Sequence, residues 1–154
     1  MKYETEHASA FWSTQLHPRL GKCLIIAFET ELLRLMCNKF ANHWYEEEPI
    51  RGQAYREVTC DPEGKWVDEL LLRAASNVGF SFFDYYIPTK GLRMWIDPGE
   101  VEVTYTEAPY HTQIIYKRTN QSLSVSPPQS PSQELESGYY YHPDYYIIEN
   151  EYLY

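Results

Sequence analysis

The chain has 154 residues, 44% of them hydrophobic, which suits one globular domain with a real core plus a tail. A formal net charge of −9 disfavours direct RNA or DNA binding, because phosphate contact needs clustered Lys and Arg that displace counterions. Cys23, Cys37 and Cys60 are widely spaced and never form C-x-x-C, so neither a zinc knuckle nor a disulfide framework is indicated and a reducing compartment fits.

"MKYETEHASAFW" carries Glu4 and Glu6 and leads into no long apolar run, so it does not read as a secretory signal. No stretch reaches membrane-spanning length, and a soluble intracellular protein with no membrane partner is expected. "ETEHASAFWSTQL" is predicted as a first helix that ends before Pro18 and Gly21. In "LIIAFETELLRLMCNKF", Ile25, Phe28, Leu32, Leu35, Met36 and Phe40 recur at three- and four-residue steps, the mark of an amphipathic helix with one buried stripe.

A loop punctuated by Pro49 and Gly52 follows. "AYREVTC" then alternates as a short strand, stopped by "DPEG". Asp68 looks like an N-cap for the helix "ELLLRAASNV", which Gly79 closes. Strands are predicted at "LRMWID", "VEVTYT" and "TQIIYKR", joined through "PG" and "EAPYH" as adjacent antiparallel partners. The expected class is α+β, a small antiparallel sheet packed with helices, followed by a flexible C-terminal tail.

Composition changes near residue 119. Beyond it there is no Lys or Arg, while Glu134, Glu136, Asp144, Glu149 and Glu151 supply five negative charges. "NQSLSVSPPQSPSQELESG" has too few apolar groups to offset the entropy of ordering and is expected to be a flexible linker. It leads to "YYYHPDYYIIENEYLY", which holds seven of the fifteen tyrosines. We therefore divide the chain into a domain at 1–118 and a Ser/Pro, Tyr-rich acidic tail at 119–154. In the tail, Tyr145, Tyr146, Ile147 and Ile148 are candidate anchors of a separate short motif. A fold-back of this β-prone segment onto a sheet edge is the alternative. Ser126 and Ser130, each before a proline, are candidate phosphorylation sites.

Catalytic signals are sparse. Glu46, Glu47 and Glu48 form the densest carboxylate run, but consecutive loop residues diverge, and a solvated acidic turn explains them better than a metal site. The five histidines form no i, i+4 pair, and no glycine stretch cradles phosphate. No catalytic residue, metal or cofactor is assigned.

The aromatics carry more information. Trp12, Phe28, Phe40 and Phe80 are assigned to helical apolar faces and to the core. Trp95 differs, because side chains alternate along a strand and its partners in parity are Arg93 and Asp97, while Leu92, Met94 and Ile96 take the other side. Tyr55 is expected to repeat the pattern, sharing a strand face with Glu57 and Thr59 against Ala54, Val58 and Cys60. Either a helix covers these rings, or they form one exposed patch that a protein partner buries.

The same stretches carry a family resemblance. "HWYEEEPIRGQAYREV" resembles box A, and "LRMWIDPGEV" resembles box B, of the BTG/Tob antiproliferative family, in the family's order. "FETELLRLMCNKF" is similar to its second helix, and the likeness spans about residues 4–117. His43, Trp44, Pro49, Gly52, Tyr55, Arg56, Trp95, Asp97, Pro98, Glu100 and Val101 match. The resemblance implies a non-enzymatic adaptor, a monomer found in cytoplasm and nucleus, that binds the DEDD-type catalytic deadenylase subunit of the Ccr-Not complex, promotes mRNA deadenylation and restrains proliferation. It also implies partner-binding roles for Tyr55 and Trp95, with Trp44, Asp97, Pro98 and Glu100 beside them. A nuclear cofactor that binds transcription regulators, or a scaffold phosphorylated on its tyrosine tail, are the alternatives. This sequence departs from the pattern at Glu46, Glu48, Glu57, Glu69 and Gly99, mostly by adding negative charge. Its tail matches neither the poly(A)-binding-protein-interacting motif of long family members nor a clear box C of short ones.

Overall fold

A computed structural model describes residues 1–61, 66–86, 91–106 and 109–119. Two helices come first, α1 at Lys2–Thr14 and α2 at Lys22–Phe40, with a 3₁₀ turn at Pro18–Leu20 between them. Positions four apart on α1 bring Glu4, Ala8 and Trp12 to one buried stripe. On α2 the buried residues are Phe28, Leu32, Leu35, Met36 and Phe40, as the periodicity predicts, with Ile25 half-buried at the margin. Ser13 Oγ donates to Glu29 Oε2 at 2.9 Å and joins the two helices.

Two sequence expectations need correction in the next segment. Strand β1 is only Glu57–Cys60, because Gln53–Arg56 forms a 3₁₀ turn. Tyr55 therefore lies on that turn and shares no strand face with Glu57 and Thr59. Gly52, at φ 73°, enters the turn in the left-handed region, a start that an extended strand does not have. Helix α3 follows at Glu69–Asn77, capped where expected: the Asp68 side chain accepts from the Leu70 backbone N–H, and Gly79 has φ 93°. Phe80 lies beyond that helix, though it packs against the core, its ring centroid 5.8 Å from that of Phe28. A one-turn helix α4 at Phe82–Tyr85 is the element that periodicity could not find, since four residues show no period.

Strands β2 (Leu92–Asp97), β3 (Glu100–Tyr105) and β4 (His111–Lys117) complete a four-stranded antiparallel sheet in the order β1-β2-β3-β4. The inner face is built from cross-strand rows such as Val58, Met94 and Val103, all buried, and Ile96 with Val101. Helix α1 lies against β2, β3 and β4, while α2 packs on α1 and α3. The outer face carries the other parity: Glu57, Trp95, Glu102 and Ile114 form one row, and Thr59, Arg93, Thr104 and Thr112 the next. A register shift between Val101 and Glu102 accommodates one extra residue on β4.

Among the described residues no helix is long and apolar enough to cross a membrane. The tail residues singled out above, Ser126, Ser130, Tyr145, Tyr146, Ile147 and Ile148, lie outside the described residues, as do residues 62–64 of the "DPEG" stop.

Candidate docking surface

The 43–58 segment has few buried apolar side chains, so something else must hold it in shape. That role falls to Arg56, which is fully buried. Its Nη1 donates to the carbonyls of His43 at 2.6 Å and Arg51 at 2.8 Å, and its Nη2 to the carbonyl of Pro49. Nε reaches the Ile96 carbonyl at 3.0 Å, and Nη2 reaches Asp97 Oδ1 at 2.8 Å. One guanidinium thus gathers three loop carbonyls and ties them to β2. A buried cation requires such pairing, since desolvation without it would cost several kcal/mol. Gln53 Nε2 donates to the other carboxylate oxygen of Asp97. Asp97 is therefore an internal fastener.

Gly52 is part of the same construction. A Cβ there would stand 3.2 Å from Arg56 Nη1 and 3.4 Å from the His43 carbonyl oxygen. With the loop so fixed, the His43 and Tyr55 rings stack with centroids 3.8 Å apart and planes 6° from parallel, and Tyr55 remains 55% exposed. Trp44 is half-buried against the core, with the Arg56 guanidinium 5.6 Å from its ring centroid. Its Nε1 donates to Glu46 Oε1 at 2.9 Å.

The turn between β2 and β3 is Asp97-Pro98-Gly99-Glu100, with Gly99 at φ 88° supplying the positive angle. Its backbone is held from below by α1: the Gly99 N–H donates to Glu4 Oε1 at 3.0 Å. Arg118 joins the same carboxylate at 2.8 Å and reaches Glu46 at 3.0 Å. Burial alone would raise the Glu4 carboxyl, but hydrogen bonds from the terminal ammonium and from backbone N–H groups, including that of Gly99, outweigh it and hold the group below its ordinary value. Glu46 is lowered too, by the Trp44 indole and then by Arg118. Glu100 pairs with Lys117 at 2.8 Å. Between loop and turn lies a mostly polar cleft of about 540 Å³, with Pro49, Gln53 and Pro98 in its walls and Ile50, 81% exposed, at its rim.

Trp95 sits on the outer face as its parity predicts, half-buried and directly opposite Glu57 on β1 and Glu102 on β3. Arg93 bridges to Glu57 at 3.0 Å, and its guanidinium carbon lies 5.7 Å from the Trp95 ring centroid. Tyr55 is two residues before Glu57, so both aromatics emerge around the start of β1. Sequence reasoning missed Arg56, Glu4 and Arg118 as the scaffold of this surface. No local pattern marks Arg56: it ends the 3₁₀ turn at Gln53–Arg56, where strand parity does not apply, and its partners on β2 lie about 40 residues further on.

Acidic substitutions are offset internally. Glu46 meets Arg118, Glu57 meets Arg93, and Glu48 and Glu69 lie 3.7 Å from Arg51 and Arg73. Among the described residues no group of three or more His, Cys, Asp or Glu is placed to hold a metal ion.

Three comparisons place this arrangement among known proteins. A family model described as "BTG family" matches residues 1–115. Protein BTG3 of Mus musculus is 36% identical over 103 residues, covering 65% of this chain and 40% of that protein. Protein Tob1 of Mus musculus is 33% identical over 103 residues, covering 66% of this chain and 27% of its own length. The matched part therefore spans two fifths or less of these relatives. In structure, a doubly substituted form of the C. elegans FOG-3 BTG/Tob domain superimposes with a TM-score of 0.67 and 18% identity, covering 77% of this chain and 91% of that one, a likeness of fold.

Proposed function

The chain belongs to the BTG family, and from that membership we propose that it is a non-enzymatic adaptor that docks the catalytic deadenylase subunit of the Ccr-Not complex and so promotes mRNA deadenylation. Membership supports an antiproliferative role exercised through protein partners; the deadenylase is our more specific reading. The observation that carries it is Trp95: a large aromatic on the outer face of the sheet, opposite Glu57, which follows exposed Tyr55 by two residues, on a backbone fixed by Arg56. Rigid aromatic anchors of this kind concentrate binding energy at protein interfaces. The adaptor would act in both cytoplasm and nucleus, with residues 119–154 free to carry a separate contact.

Reconstitution tests the reading. The purified chain, added to purified deadenylase subunit with Mg²⁺ and labelled poly(A), should form a complex that shortens the substrate. The chain alone should leave poly(A) length unchanged. Shortening by the chain alone, lost on mutating an acidic set, would overturn the adaptor reading, as would failure to bind the subunit.

A further inference from the structure

Trp95 has a carboxylate on each side, and the two are not in the same state. On the β1 side, Glu57 is matched by Arg93, whose guanidinium lies 3.0 Å from the carboxylate and 5.7 Å from the Trp95 centroid. On the β3 side, Glu102 is the direct cross-strand neighbour of Trp95, and among the described residues no cation pairs with it. Next in the row is Ile114, half exposed on β4. Directly opposed residues in an antiparallel pair hold their Cβ atoms about 4.5–5.5 Å apart, so ring, carboxylate and aliphatic group form one continuous strip.

We propose that this strip, Trp95, Glu102 and Ile114, seats an arginine of the partner protein: the guanidinium on Glu102 and the Trp95 ring, its aliphatic stem along Ile114. The Arg93–Glu57 pair shows the chain itself placing a guanidinium between a carboxylate and this ring. Arginine suits the place better than lysine, because its planar fork bonds a carboxylate and stacks on an aromatic face together. A phosphate-bearing ligand would meet Glu102 with like charge and is disfavoured. This inference rests on the reading of Trp95 as a docking anchor.

Its test has two arms. In the first, affinity of the full chain for the deadenylase subunit is measured with Glu102→Gln, Glu102→Arg and Trp95→Ala. We expect Glu102→Gln to weaken binding about three- to fivefold, the range of a partly exposed ion pair. Glu102→Arg should weaken it roughly tenfold or more through like-charge contact. If Trp95→Ala abolishes binding while Glu102→Arg leaves it unchanged, docking stands and the arginine seat is wrong; if neither variant changes affinity, both are wrong. The second arm holds even if this partner fails to bind. The full chain is titrated with a capped Gly-Arg-Gly peptide and with its neutral citrulline analogue, and amide and indole NMR shifts are followed. Shifts at Trp95, Glu102 and Ile114 with arginine only, lost in Glu102→Gln, are the expected result. Equal shifts with citrulline, or shifts that persist in Glu102→Gln, would overturn the proposal.

Discussion

Arg56 and Asp97, 41 residues apart in sequence, meet at 2.8 Å with the guanidinium wholly shielded from water. Through this pair the 43–58 loop and strand β2 become one rigid piece, so the aromatics they carry are presented together. Removing one partner leaves the other buried and uncompensated. Asp97→Ala should therefore cost about 3–5 kcal/mol of unfolding free energy. Urea denaturation of the two proteins checks this, and a loss below about 1 kcal/mol would mean that the pair behaves as a surface contact.

Gly52 bears on the same network from the other side. At φ 73°, with Arg56 Nη1 3.2 Å from where a Cβ would stand, Gly52→Ala combines backbone strain with crowding of the buried cation. We expect a destabilisation of about 1–3 kcal/mol by the same urea measurement. Gly79, also at positive φ but with nothing within 4 Å, is the control for strain without crowding.

Acid should loosen the helical layer through Glu31. Its carboxyl is pushed down to about 2 by hydrogen bonds from Arg34, at 2.7 and 2.8 Å, and then from Asn77, at 2.6 Å on α3. A folded value below the unfolded one means that the contribution is fully present above the ordinary value of 4.5 and is lost as pH falls toward 2. The lowered Glu4 and Glu46 carboxyls add to the same trend. Unfolding free energy should fall below pH 4.5, and Glu31→Gln should flatten that fall. An identical slope in the variant would show that Glu31 is not involved.

Removal of residues 119–154 should leave the melting temperature and the deadenylase affinity of the domain unchanged. This follows from the charge break after Arg118 and the Ser/Pro-rich composition beyond it. Melting curves of full and shortened chains decide it, and a lowered melting temperature would make the tail structural.

The fold was legible where period and caps agreed. The α2 stripe, the Asp68 cap and the three-strand meander are local signals reinforced over many residues. Trp95 was legible for the same reason, because parity in a regular strand fixes which face a side chain takes. Tyr55 was not, because one left-handed glycine converts an alternating pattern into a 3₁₀ turn and parity loses its meaning. Nor was the scaffold beneath the aromatics: Arg56 with three loop carbonyls, and Glu4 with Gly99 and Arg118, are contacts across up to 114 residues that no local pattern encodes.

The central claim is that Trp95 faces outward to be buried by another protein. Calorimetric titration of the deadenylase subunit with wild-type chain and with Trp95→Ala, paired with the melting temperature of each, tests it most directly. Binding free energy should weaken by roughly 2–4 kcal/mol, as for other interface anchors, while the melting temperature barely moves. A variant that binds as tightly as wild type, or one that has lost its fold, would contradict it.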